Sequence, residues 1–175
     1  MRKFISLVLA TVFCASYAIA ETKTNFLKFQ LQVDRYGPVI VGMTPTVASA
    51  KLGVGLAPPA KLDKDEESCH YVFPNSNSND ISFMVEDGRI TRIDVDSKAI
   101  PSTGGIRIGD LEEAAKRAFP KKVKEEIHPY IGAEGKYLIV ETKPGYAFIY
   151  ETDHGKITSF RSGKLSSVRY IEGCL

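Results

Sequence analysis

The chain predicts an α+β protein made of two tandem repeats, each a short helix packed on a three- to four-stranded antiparallel sheet. Two observations carry this: residue pairs recur at a fixed spacing of 67 positions, and β-rich runs are separated by glycine turns. A third, a signal-like N-terminus, sets the compartment in which that fold is expected.

Residues 1–20, MRKFISLVLATVFCASYAIA, have a basic head at Arg2 and Lys3, an apolar run from Phe4 to Phe13, and Ala18-Ile19-Ala20 as an A-x-A cleavage site. The run is too short for a membrane-spanning helix. Bulky Phe13 precedes Cys14, where a bacterial lipobox needs a small residue, so no membrane anchor is expected. Cleavage removes two basic residues and leaves 21 of each sign, a formally neutral chain. Such a surface excludes nucleic acid and anionic lipid as electrostatically driven partners. The expected location is the periplasm or the medium.

Residues 21–37 hold FLKFQLQV, in which Phe29, Leu31 and Val33 alternate with Lys28, Gln30 and Gln32, predicting an added edge strand. Repeat 1 spans 38–98, a linker 99–105, and repeat 2 spans 106–175. The spacing of 67 joins Gly42 to Gly109, Ala48 to Ala115, Tyr71 to Leu138, Gly88 to Gly155 and Ile90 to Ile157. Each copy opens with apolar residues, a glycine and a helix start. Thr44 predicts an N-cap with Pro45 behind it; Asp110 predicts a cap, with Glu113 at capping-box spacing. Gly53 and Pro120 predict the helix ends.

The runs CHYVF, DISFMVED, RITRIDVD, KYLIVET, YAFIYET, KITSFRS and SSVRYIE then predict strands. DGRITRID and HGKITSFR are nearly the same phrase because both predict a tight hairpin, with Gly88 and Gly155 supplying positive φ.

Only Cys69 and Cys174 remain after cleavage, neither in a CxxC nor in a Cys/His ligand spacing, and in an oxidising compartment they predict one disulfide. The histidines His70, His128 and His154 show no metal-site spacing, and no nucleophile motif is present, so neither catalysis nor a cofactor or metal is expected. Asn75, Asn77 and Asn79 alternate like calcium ligands, but Asp80 stands where the loop requires glycine. Asp94 and Asp96 share one side of a strand, and such pairs at strand ends are usually solvated. Tyr146, Phe148 and Tyr150 line one face, either core or a partner-binding patch, with Arg161 and Arg169 as a candidate rim.

Val41-Gly42-Met43-Thr44 with Ala48, Gly53 and the hairpin glycines Gly88 and Gly155 resembles the β-lactamase-inhibitor-protein-like superfamily, in which the unit occurs in tandem. It is similar also to the small lipoprotein family of the outer-membrane β-barrel assembly machine, which holds one such unit. The resemblance spans Val39 to Glu172 and implies a protein-binding or envelope-assembly role, with a concave sheet face for docking. The expected function is therefore non-catalytic binding of another envelope or secreted protein, as inhibitor or accessory factor. The alternatives are small-ligand or metal binding between the repeats, and a secreted hydrolase.

Overall fold

The structure is a computed structural model that describes residues 27–64, 66–74 and 79–174. The signal segment, with the anchor question at Cys14, lies outside the described residues, as do Asn75 and Asn77 of the calcium-like loop.

A small antiparallel meander comes first: β1 (Leu31–Gln32), β2 (Arg35–Tyr36) and β3 (Val39–Ile40). The expected edge strand is thus corrected to two residues that join a separate sheet. Its apolar face is as expected: Leu31 is fully buried, and Phe29 and Val33 pack against the main core. The backbone of Leu31 bonds instead to the segment between β7 and the second half, its N–H to Pro101 O at 2.8 Å and its carbonyl accepting from Thr103 N at 2.8 Å.

Helix α1 (Pro45–Leu52) begins as predicted, with Thr44 Oγ1 accepting from Val47 N, and stops at left-handed Gly53. Then follow β4 (Leu56–Ala57), β5 (Cys69–Pro74), β6 (Ile81–Glu86) and β7 (Arg89–Val95). The second half runs α2 (Glu112–Ala118), β8 (Val123–His128), β9 (Gly132–Lys143), β10 (Tyr146–Asp153) and β11 (Lys156–Lys164), and ends in the single turn α3 (Leu165–Val168).

The main sheet is ordered β4-β5-β6-β7-β11-β10-β9-β8, so the two halves share one continuous eight-stranded antiparallel sheet, joined where β7 meets β11. The spacing of 67 is visible in the backbone. Gly42 N bonds Ile90 O at 2.7 Å, and Gly109 N bonds Ile157 O at 2.7 Å. Ile90 N and Ile157 N return bonds to Met43 O and Asp110 O, each at 2.8 Å. The hairpin tips match as well: φ is 49° and 72° at Asp87-Gly88, and 46° and 77° at His154-Gly155. Even the bulges correspond, between Met84 and Val85 and between Glu151 and Thr152.

The spacing shortens to 66 in one strand pair. Val72 and Leu138 face the core, while Tyr71 and Tyr137 lie on the other face opposite Met84 and Glu151. The alignment of Tyr71 with Leu138 is corrected accordingly, since a one-residue shift puts a side chain on the wrong face.

Two further corrections concern helix ends and the C-terminus. Leu111, not Asp110, is the α2 cap residue and makes no side-chain cap bond; Asp110 instead accepts from Arg107 N at 2.8 Å in the preceding turn. SSVRYIE is not a strand. Leu165 and Val168, three apart, turn a common face onto Ile149, Ala147 and Ile139, and that spacing suits a helical turn.

The principal core fills the helix-bearing face of the sheet. Phe83, Ile93, Phe160, Tyr150 and Phe148 meet Ala48 and Ala115 from the helices, Phe119 just after α2, and Leu31, Tyr36 and Val39 from the meander. Tyr150 Oη is satisfied by Ser102 Oγ at 2.9 Å. The halves pack backbone to backbone at Gly163, opposite Arg92, where a Cβ would stand 2.3 Å from Thr91 O and the residue has φ of 148°. Gly163→Ala is expected to destabilise by roughly 1–3 kcal/mol through overpacking against backbone that cannot yield. Denaturant titration checks this, and an unchanged midpoint would show that the junction relaxes.

Candidate functional site

The face of the sheet opposite the main core carries the unusual chemistry. Residues 165–174 cross it as a strap. Leu165 and Val168 seal a second apolar cluster over Tyr137, Ile139, Ala147 and Ile149. The strap then runs to β5, where Cys174 is disulfide-bonded to Cys69 with Cα atoms 5.4 Å apart. Gly173 lies so close to the Tyr71 ring that an added Cβ would stand 2.3 Å from its hydroxyl.

Two buried arginines hold the strap from below. Arg92, 5% exposed, grips Asp94 through Nε at 2.8 and 2.9 Å and donates from Nη1 to Tyr170 O at 2.7 Å. Arg161, 3% exposed, donates from Nε to Val168 O at 2.7 Å and from Nη1 to Glu151 Oε1, and its guanidinium lies 5.2 Å from the centroid of the Tyr137 ring. Its Nη2 is buried and has no partner among the described residues. Glu86 accepts from both Ser167 Oγ and Thr91 Oγ1. Strap carbonyls that would otherwise lie on a sheet without partners are thus met by fixed cations.

The β8–β9 turn folds over the same face. The His128 ring packs edge-on against Tyr137 at 4.7 Å, and its Nε2 is 3.4 Å from Glu151 Oε2. Tyr130 Oη donates to Glu172 Oε1 on the strap, and Arg169 pairs with Glu126 of β8 at 2.7 Å.

Beyond the strap, the face of the first half forms a cavity of about 290 Å³ lined by Tyr71, Phe73, Asn79, Ser82, Asp94 and Asp96. Tyr71 and Phe73 alternate along β5, with ring centroids 6.4 Å apart. Ser82 is registered opposite Asp94 across the β6–β7 pair. Burial raises the Asp94 carboxyl, with Arg92 opposing. The Asp96 carboxyl is raised by burial and then by repulsion from Asp94 and Glu151, although its residue is exposed. Burial and Asp94 push the Tyr71 hydroxyl up to about 12, so the phenol is neutral at physiological pH.

An acid whose folded pKa is raised destabilises the folded state wherever it is ionised in both states. Asp96→Asn is therefore expected to raise Tm at pH 7, and the gain should disappear below the unfolded aspartate pKa of about 3.9. Melting curves across that range check this; a gain that persisted at pH 3 would assign the effect to something other than charge.

The partner-binding expectation at Phe148 and Tyr150 is corrected, because they are 1% and 0% exposed and belong to the core. Arg161 is corrected from surface rim to buried clamp. Tyr146 is half-buried beneath Lys143, whose Nζ lies 4.4 Å from its ring, and Arg169 is exposed but paired with Glu126. Sequence reasoning missed Phe73 and Ser82, and it gave no sign that Arg92 and Arg161 are buried beneath the strap. The signal for the cavity was present: Tyr71 and Phe73 are spaced by two, as are Asp94 and Asp96, which places each pair on one face of its strand.

No protein-family model matches the chain, and no curated protein sequence matches it. Among solved structures, the uncharacterized protein yfeY from Escherichia coli is similar with a TM-score of 0.51 at 14% identity, covering 77% of this chain and 99% of that one. An extracellular protein containing a SCP domain from Bacillus anthracis str. Ames has a TM-score of 0.47 at 11% identity, covering 71% of this chain and 44% of that one. The likeness to the Escherichia coli protein is one of fold.

Proposed function

We propose that the chain is an exported, non-catalytic module that binds another protein of the cell envelope on its strapped face. The observation that carries this reading is a set of apolar side chains held outward on two braced segments. Tyr130 and Ile131 on the β8–β9 turn are 67% and 38% exposed, and Tyr170 and Ile171 on the strap are 45% and 44% exposed. The Tyr130–Glu172 hydrogen bond joins the two segments. The disulfide, Arg92 and Arg161 fix the backbone beneath them, so little ordering entropy remains to oppose docking. Tyrosine and isoleucine on a preorganised surface suit a protein interface, where aromatic area and a hydroxyl work together. The resemblance to the inhibitor-protein superfamily, with docking on a sheet face, supports the same reading.

Export rests on the N-terminal signal pattern and the Cys69–Cys174 disulfide. No helix among the described residues is long and apolar enough to cross a membrane.

A photo-crosslinking residue at Ile171, with a second at exposed Lys51 of α1 as control, tests the docking surface. A discrete crosslinked protein is expected from Ile171 only, competed by unmodified protein and weakened by Tyr130→Ala. Equal labelling at both positions, or none at Ile171, would remove the strapped face as a docking site.

A further inference from the structure

We infer that the cavity of Tyr71, Phe73, Ser82, Asp94 and Asp96 receives a lysine or arginine side chain of the bound partner. This rests on the protein-binding reading and names the chemistry that the partner brings.

Charge within the cavity is unequal. Arg92 engages Asp94 from the strap side, whereas Asp96 has no cation partner among the described residues. A negative charge therefore faces solvent beside the two aromatic rings of β5. An ammonium or guanidinium group placed there meets a carboxylate and two aromatic rings, a lining that favours cations over neutral or anionic groups.

The dimensions narrow the occupant further. Ligand sites for metabolites or drug-sized molecules run from about 300 to 1,000 Å³ and enclose most of the ligand. At about 290 Å³ the cavity stands at the foot of that range, and because it lies open to solvent it encloses little of an occupant and suits a single long side chain. A bare divalent ion is a poor fit, because calcium takes about six to eight oxygen ligands and Asp94 is already engaged. Among the described residues no three metal-capable side chains gather.

A second groove of about 270 Å³ adjoins it, lined by Leu62, His70 and the Cys69–Cys174 disulfide, and shares Tyr71 and Phe73. The two depressions form a track with an aromatic divide, which suits an extended peptide better than a free amine.

The matching face of the second half is filled by the chain's own C-terminus. Tyr137, Ile139 and Ile149 stand where the first half has Tyr71, Phe73 and Ser82, and Val168 covers them. Arg161 occupies the place of Asp94, the register position opposite in charge. At this register position the second half thus presents a cation to the strap, whereas the first half leaves the Asp96 carboxylate beside it for an incoming segment.

Titration of the oxidised, isotope-labelled protein with a pentalysine peptide, followed by NMR, tests this. Saturable shifts are expected at Tyr71, Phe73, Ser82 and Asp96, and none with the fully acetylated peptide. Asp96→Asn should weaken binding by roughly tenfold, the loss of one charge-assisted contact. Phe73→Leu should weaken it by about threefold through loss of the π-face, while Glu113→Gln should have no effect. Absence of saturable shifts, or affinity unchanged in Asp96→Asn, would overturn the inference. Spermidine binding as tightly as pentalysine would overturn the peptide source. A silent cavity with crosslinking retained at Ile171 removes only the cation site; a responsive cavity with no crosslink removes only the strapped-face docking.

Discussion

Replacing both half-cystines, as Cys69→Ala with Cys174→Ala, is expected to lower the unfolding free energy by about 2–5 kcal/mol. The bridge closes a loop with a sequence separation of 105 residues, and loop-closure entropy alone gives roughly 4.7 kcal/mol for a loop of about that length. The observed loss should fall below that figure if the arginine contacts keep the strap docked and the unfolded chain retains structure. Urea unfolding reads the global loss, and amide exchange at residues 165–174 reads the local one. A global loss under about 1 kcal/mol with the strap still protected would show that the bridge is redundant with the arginines.

Arg92→Ala is expected to cost about 3–5 kcal/mol, because it leaves the Asp94 carboxylate buried without its cation and strips Tyr170 O of a donor. Much of that cost is the stranded charge rather than the worth of the pair. Arg92→Ala combined with Asp94→Ala should therefore be more stable than Arg92→Ala alone, and a double-mutant cycle measures the coupling. If the double variant were the less stable of the two, Asp94 would be held by something other than Arg92. The same variants separate framework from recognition, since Asp96→Asn is expected to leave the clamp intact.

Much of this architecture was legible in local sequence chemistry. The α1 start was readable because Thr44 and Pro45 have conformational preferences that no distant contact needs to supply. The hairpins were readable because Asp87-Gly88 and His154-Gly155 demand positive φ at adjacent positions. What failed was decided by long-range packing. SSVRYIE has strand-forming residues, yet the place beside β11 is taken by β7, and its apolar positions find partners only by folding over the sheet as a turn. FLKFQLQV alternates correctly, but its backbone bonds to the segment between the halves, a pairing that alternation cannot encode. Charged VKEEIH gave no strand signal, although it makes β8 at the outer edge, where charge is tolerated because one side faces solvent.

The candidate site was less legible for the same reason. Arg161 lay within the predicted strand KITSFRS and read as a rim residue on its surface. Its burial depends on a C-terminus that arrives from outside the sheet. Paired spacing placed Tyr71 with Phe73, and Asp94 with Asp96, but only the strand order brings the two pairs to one cavity.

The junction of β7 with β11 has a consequence for how the molecule depends on its own concentration. One half alone would leave the β7 edge as a row of unpaired donors and acceptors, and two such halves could pair edge to edge to rebuild a sheet of this kind. That assembly would be bimolecular and would dissolve on dilution. Here the second half is tethered by the segment running from β7 to α2, so pairing is intramolecular, and its effective concentration is set by linker length rather than by expression level. The sheet should therefore survive at dilutions where a homodimer of the half-unit would come apart.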